Sequence, residues 1–307
     1  MTRPSVRTAR RNQPPPTGRE WTRTVVVRSR TLEPTPALRD VVRVLRFLKT
    51  GATVQAANRP VIARTGIVLV FNLHPSKPQI LEYGTSRRRT LPDVLIVGAQ
   101  SVRRTDIDMT TGWTSFAVHF QPAGFYRLFG IPAPQFTNRI VDASDVLGAE
   151  IRRLHAALKA ATKVASMQRL VEAFLLRQLA DARPPHPVER AAMAMVEHRG
   201  DVAIADVTRA SGIGQRQFER CFLQQVGLAP KVFARVARLS FVLQHKTLNP
   251  RLTWNAIAHT AGYYDYKHLA NDFKAIVGAT PTAYLSSPKR LDDGFILLRE
   301  RGLHNTV

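Results

Sequence analysis

Two short stretches carry side chains able to read the edges of nucleic-acid bases. Residues 215–226 place Gln215, Arg216, Glu219, Arg220 and Gln224 on one side of a helix and Phe218, Cys221, Phe222 and Val226 on the other. Residues 266–277 do the same with Tyr266, Lys267, Asn271 and Lys274, preceded by Asp265, against Leu269, Phe273, Ile276 and Val277. A guanidinium fork matches guanine, a carboxamide both donates to and accepts from adenine, and a carboxylate accepts from cytosine. Arg216, Gln215, Asn271 and Glu219 are therefore candidates for base contact. Lys267 and Lys274 are point charges suited to phosphate, and Arg220 fits either a phosphate or a neighbouring acid. Any one of these residues alone could equally belong to a solvated helix face.

The two stretches sit in a repeat. VTRASGIGQRQFERCFLQQVGLAP (207–230) lies over IAHTAGYYDYKHLANDFKAIVGATP (257–281) with one residue inserted in the second turn. Each copy has a short helix, a glycine (Gly212 or Gly262), a longer helix with two apolar anchors, and a closing Val-Gly-x-x-Pro. A turn residue with positive φ is cheap only for glycine, and helix, tight turn and helix make the helix-turn-helix unit. Between the copies, Phe233, Val236, Leu239 and Leu243 fall on one face of 230–246, which predicts a single connecting helix opened by Pro230.

Residues 188–285 resemble the DNA-binding domain of the AraC/XylS family of transcription regulators. The resemblance is carried by Ile257-Ala258, Gly262-Tyr263, Phe273, Gly278, Pro281 and Tyr284. It departs from the family pattern at Thr208, where alanine is usual, at Gly214, where a serine cap is usual, and at Asn271, where arginine is usual. The resemblance implies double-stranded DNA as partner, with RNA polymerase and a small-molecule effector as further partners, and a cytoplasmic location. It implies no catalytic residues and no cofactor. A ligand-free architectural DNA-binding protein is the alternative, separable by its indifference to sequence.

Composition agrees on the partner class without locating the site. The formal net charge is +23, which favours polyanions. Residues 187–307 hold 16 Lys/Arg against 10 Asp/Glu, only +6 of that total. An arginine-rich composition throughout would raise the charge equally. The single Cys221 excludes an internal disulfide and lies on the apolar side of its helix, which argues against a nucleophile. There is no apolar run of membrane-spanning length.

The expected fold class is α+β, with a small mixed-sheet domain plus helices followed by an all-α domain of two helix-turn-helix units on a linker helix. Residues 1–20 read as a disordered basic arm and 21–145 as strand-rich, through 24–27, 61–73, 93–100 and 113–120. A short helix is expected in QPAGFYRLFGIP, stopped by Gly130 and Pro132. Residues 146–182 read as two helices with an apolar stripe (Ile151, Leu154, Leu158, Leu170, Phe174, Leu175) that either packs on the sheet or joins two copies as a homodimer. The prolines of 183–187 mark a linker, 188–285 the double helix-turn-helix domain and 286–307 a tail. The strand-rich part resembles the cupin-like sensor domains of some family members. His74 and His119 stand apart from acids, so no metal set is expected.

Overall fold

The computed structural model describes residues 27–50, 58–60, 63–75, 79–85, 87–108 and 113–286. The basic arm, the first residues of the 24–27 strand and the tail beyond 286 lie outside the described residues. The chain begins with β1 (Val27–Leu32), β2 (Val42–Thr50), β3 (Asn58–Pro60), β4 (Val68–Asn72), β5 (Gln79–Glu82), β6 (Arg88–Thr90), β7 (Val94–Val97), β8 (Thr105–Asp108) and β9 (Trp113–Phe120). Then come α1 (Gly124–Phe129), β10 (Ile140–Asp142), α2 (Ala143–Ala160) and α3 (Val164–Ala180). The rest is helical: α4 (Pro187–Glu197), α5 (Ile204–Ala210), α6 (Gln215–Val226), α7 (Pro230–Leu248), α8 (Trp254–Thr260), α9 (Tyr266–Val277) and α10 (Pro281–Ser286).

The strands form a six-stranded sheet, β1-β2-β9-β4-β7-β10, and a four-stranded sheet, β3-β8-β5-β6. Every ladder among the described residues is antiparallel. The larger sheet is buried on both faces, and the two-residue period sorts its side chains. Phe116, Val118 and Phe120 of β9 join Leu45, Leu69, Phe71 and Ile96 beneath α1, α2 and α3. Trp113 and Ala117 point the other way, with Leu48, Val68, Val70 and Leu95, toward Ile80 and Ile107 of the smaller sheet. Each such side chain contributes about 1.5–3 kcal/mol by leaving water, so the two faces hold the strands in one register.

The helical stripe resolves to one of its two alternatives. Ile151, Leu154, Leu158, Phe174 and Leu175 pack in the core under the sheet, and Leu170 alone of the six stays substantially exposed. The stripe is core, not a free surface for a second copy. Gly148, at φ 71 and ψ −150, breaks the helical path of α2 near its start. Strand β2 is absent from the sequence reading and is the longest strand of the sheet. Arg43, Arg46 and Lys49 interrupt its apolar run, while a register shift between Val42 and Val44 disturbs its alternation.

The proline-marked linker is tied down: the Arg183 N–H donates to Arg127 O at 3.1 Å. At the head of α4, His186 accepts from Val188 N while its own N–H donates to Glu189, so the first turn is capped from both sides. Glu189 also pairs with Arg127 of α1 at 3.3 Å. Burial nevertheless holds its carboxyl above the ordinary value, against the opposing pull of the His186 N–H and Arg127. Helix α7 is the spine of the C-terminal region. Its Phe233 belongs to the core of the first helical unit with Phe218, Phe222 and Val226, and its Val236, Leu239 and Leu243 to that of the second with Phe273, Ile276 and Val277.

Candidate nucleic-acid interface

Helix α6 exists because Phe218, Phe222 and Val226 recur every four residues and all are buried against α7 and α4. Gly214 stands at its N-cap without a side-chain hydrogen bond, and Gly227, at φ 88, closes it. Helix α9 buries Leu269, Phe273, Ile276 and Val277, and Gly278 at φ 81 closes it in the same way. Asp265 was expected on the outward face but serves as the N-cap, its carboxylate accepting from His268 N at 2.7 Å. This ties it to the helix start and satisfies one of the free donors there.

Both helices are 12 residues long, and Gln215 and Tyr266 begin them 51 positions apart. That offset pairs Arg216 with Lys267, Arg220 with Asn271 and Leu223 with Lys274. All six are exposed, along an i, i+4, i+7 stripe on each helix. Gln215, Glu219 and Gln224 are exposed as well, with Gln215 Nε2 donating to Glu219 Oε1 at 3.1 Å. Among the described residues Arg216 and Arg220 form no ion pair, so Arg220 is not bound by a neighbouring acid. Tyr266 departs from expectation: it is half-buried against the core of the second unit, with its hydroxyl 3.4 Å from Thr282 Oγ1. Gln217 and His268 are exposed at another equivalent pair of positions and were missed. The repeat offset, applied residue by residue, would have found them.

The carriage of α9 is polar as well as apolar. Asp272 accepts from Arg235 of α7 at 2.8 Å, and the Tyr263 hydroxyl reaches it at 3.5 Å. Burial, reinforced by Asp272, pushes the Tyr263 phenol well above its ordinary value, so it stays a neutral donor. Arg238 stacks over the same ring at 5.3 Å and pairs with Asp201 at 3.2 Å. The turn before each long helix runs through a glycine at φ 72, Gly212 in one unit and Gly262 in the other.

The far ends of both helices touch the sheet domain. Thr137 donates to Gly227 O at the end of α6. At the end of α9, the Arg103 N–H donates to Ile276 O at 2.7 Å and the Tyr83 hydroxyl to Gly278 O at 3.3 Å. Arg103 lies 4.1 Å over the Tyr83 ring while gripping Asp106 with two hydrogen bonds, at 2.8 and 2.6 Å. A Cβ at Gly278 would stand 2.4 Å from the Tyr83 hydroxyl and would sit on left-handed backbone. Gly278→Ala is expected to cost roughly 1–2 kcal/mol in thermal unfolding, and Tyr83→Ala in the same chain should recover part of it. Equal losses with and without Tyr83 would show that the close approach is immaterial.

A family model described as a helix-turn-helix domain matches residues 207–287, the two repeats and the spine between them. The C-terminal region is an AraC-type helix-turn-helix domain. The AraC-type domain makes the chain a DNA-binding transcription regulator, a kind of protein that is not an enzyme class. A second model, a domain of unknown function (DUF6597), matches residues 30–142. Comparison with curated proteins gives no match. Among solved structures the chain is similar to ToxT from Vibrio cholerae, at 9% identity and a TM-score of 0.45, over 78% of this chain and 97% of that one. A ToxT structure from Vibrio cholerae O395 bound to (E)-4-(8-methylnaphthalen-1-yl)but-3-enoic acid aligns at 8% identity and a TM-score of 0.45, over 78% of this chain and 96% of that one. A third, ToxT from strain SCE256 bound to an unsaturated fatty acid, aligns at 9% identity and a TM-score of 0.43, over 85% and 94%.

Cys221 is half-buried beside the core of the first unit. Among the described residues no group of three or more His, Cys, Asp or Glu could hold a metal ion. No helix among them is long and apolar enough to cross a membrane.

Proposed function

We propose that α6 and α9 read two successive major-groove segments of one DNA site, carried on α7. The observation behind this reading is the matched pair of exposed stripes, Arg216–Arg220–Leu223 and Lys267–Asn271–Lys274, on helices of equal length that both close on a left-handed glycine. Successive major-groove segments on one face of B-DNA lie roughly 34 Å apart. In this reading Gln215, Arg216, Glu219 and Asn271 address base edges, and Gln224, Arg220 and Lys274 sit where backbone contact is natural. Lys267 occupies the place of Arg216 and inherits a base-facing position, while half-buried Tyr266 buttresses the helix start. Residues 188–285 act as the reader, 183–187 as the join and 21–182 as the effector-responsive half. RNA polymerase and a cytoplasmic setting follow from the regulator reading.

The test is binding to a library of randomised sites at fixed salt. Asn271→Ala should erase preference at one base pair, a loss of about 1–3 kcal/mol there. Lys274→Ala should weaken all sequences alike and flatten the salt dependence by about one phosphate contact. If both variants lower binding uniformly, α9 is a backbone clamp and the two-segment reading falls.

A further inference from the structure

A cavity with an unexplained lining lies where the sheet domain meets α7. It measures about 190 Å³. A single water needs only about 10–15 Å³ of such space, so the chamber has room for an organic molecule. One wall is the face of the larger sheet that carries Trp113, Ser115, Ala117 and His119; the opposite wall includes Val196, Arg199, Ser240, Phe241 and Gln244.

Its two ends differ in kind. Leu48, Val70, Leu95 and Trp113 make an apolar end. Arg43, Arg46, Arg64 and Arg199 with His119 make the other, and the described lining includes neither Asp nor Glu. Arg46 is only 7% exposed. The Nε atoms of Arg46 and Arg64 have no hydrogen-bond partner, and neither guanidinium enters an ion pair among the described residues. Arg64 is enclosed by protein yet keeps partial accessible surface, as a chamber wall does. Burial lowers Arg46 and Arg64 to about 10, in Arg64 with help from Arg43 and Arg46, so both remain charged at neutral pH. Burial first, then Arg43, Arg64 and Arg46, hold His119 well below its usual range and leave it neutral.

Enclosed cations without a counter-charge are costly, and arginine cannot escape by losing its proton at neutral pH. Among the described residues no carboxylate answers the charge of Arg46 and Arg64. A bare inorganic ion would satisfy the arginines and leave the apolar end empty. We infer that this chamber is a binding site for an amphipathic organic anion, its oxyanion head on Arg46 and Arg64 and its apolar body against Leu48, Val70 and Trp113. The head is a carboxylate or a phosphate, since both accept the two-pronged guanidinium. The inference rests on the reading of the sheet domain as the effector-responsive half and gives that half its ligand class. The ligand would also touch Phe241, on whose ring Arg199 lies at 4.4 Å. Phe241 belongs to α7, so occupancy bears directly on the spine of both reading helices.

Titration calorimetry and thermal unfolding of the full chain test this with four probes: decanoate, decyl phosphate, decanol and inorganic phosphate. One or both amphipathic acids should bind and raise the melting temperature; decanol and inorganic phosphate should do neither to a comparable degree. Whichever acid binds more tightly identifies the head. Arg46→Leu should weaken that acid roughly 10- to 100-fold, the loss expected for a charged hydrogen bond. It should also raise the melting temperature of the ligand-free chain, an effect opposite to that of removing a structural arginine, and Arg46→Lys should restore part of the binding. Equal response to acid and alcohol, no response to either acid, or an Arg46→Leu variant that binds as the parent does would overturn the site. Affinity for DNA, measured with and without the acid, is a separate readout: acid binding without change in DNA affinity leaves the site standing and removes only its regulatory role.

Discussion

Replacing Leu154 and Leu158 together by Glu is expected to unfold the sheet domain and not to release a folded monomer. The two side chains are 8% and 0% exposed and lie in the core beneath the larger sheet. Truncating one buried leucine to alanine costs about 2–5 kcal/mol, and a glutamate adds the burden of a carboxylate with no partner. Two such changes reach or exceed the roughly 5–15 kcal/mol that holds a typical domain together. Urea titration followed by circular dichroism, with sedimentation for mass, checks it. A variant with a native melting curve and half the parent's mass would mean that the stripe joins two copies in solution.

The second large effect concerns recognition. Arg216→Ala and Lys267→Ala remove the cation at the same place in each reading helix. A well-made base contact contributes about 1–3 kcal/mol, and separate units with no shared partner add. The double variant should therefore lose roughly 2–6 kcal/mol on its own site, which is about 30-fold to 20,000-fold. On scrambled DNA the loss should be far smaller, set by phosphate attraction alone. Anisotropy titrations on both duplexes at one salt concentration give the comparison. Parallel losses on both would assign these two residues to the DNA backbone.

Helices α6 and α9 were legible in the sequence because their punctuation is local. Gly212, Gly262, Gly227 and Gly278 mark turns and ends, and the apolar anchors between them (Phe218 and Phe222, Leu269 and Phe273) recur at helical spacing. Strands β4, β7 and β9 were legible for a similar reason, being dense in apolar and β-branched residues. Strand β2 was not, because a strand whose inward face lines a charged chamber has lost its apolar signature. Strand β6 is exposed throughout and carries no burial pattern to find. His119 looked isolated in sequence, since Arg43, Arg46 and Arg64 come to it only through strand pairing. Asp265 and Tyr266 differ from their neighbours on α9 through capping and packing, which depend on the turn before the helix. The contacts of Tyr83 with Gly278 span 195 positions, a separation no local pattern encodes.

Those contacts act like the pivot stops of a calliper. With Thr137 holding the end of α6, and Arg103 and Tyr83 holding the end of α9, the jaws share a frame beyond the helix that joins them. Each base pair inserted between two half-sites moves the second by roughly 3.4 Å and turns it by about 35° around the duplex. Jaws fixed at both ends cannot follow that screw motion without releasing a stop. On the proposed two-segment reading the DNA, not the protein, must then keep the phase, so operators for this chain should tolerate changes of base more readily than changes of length.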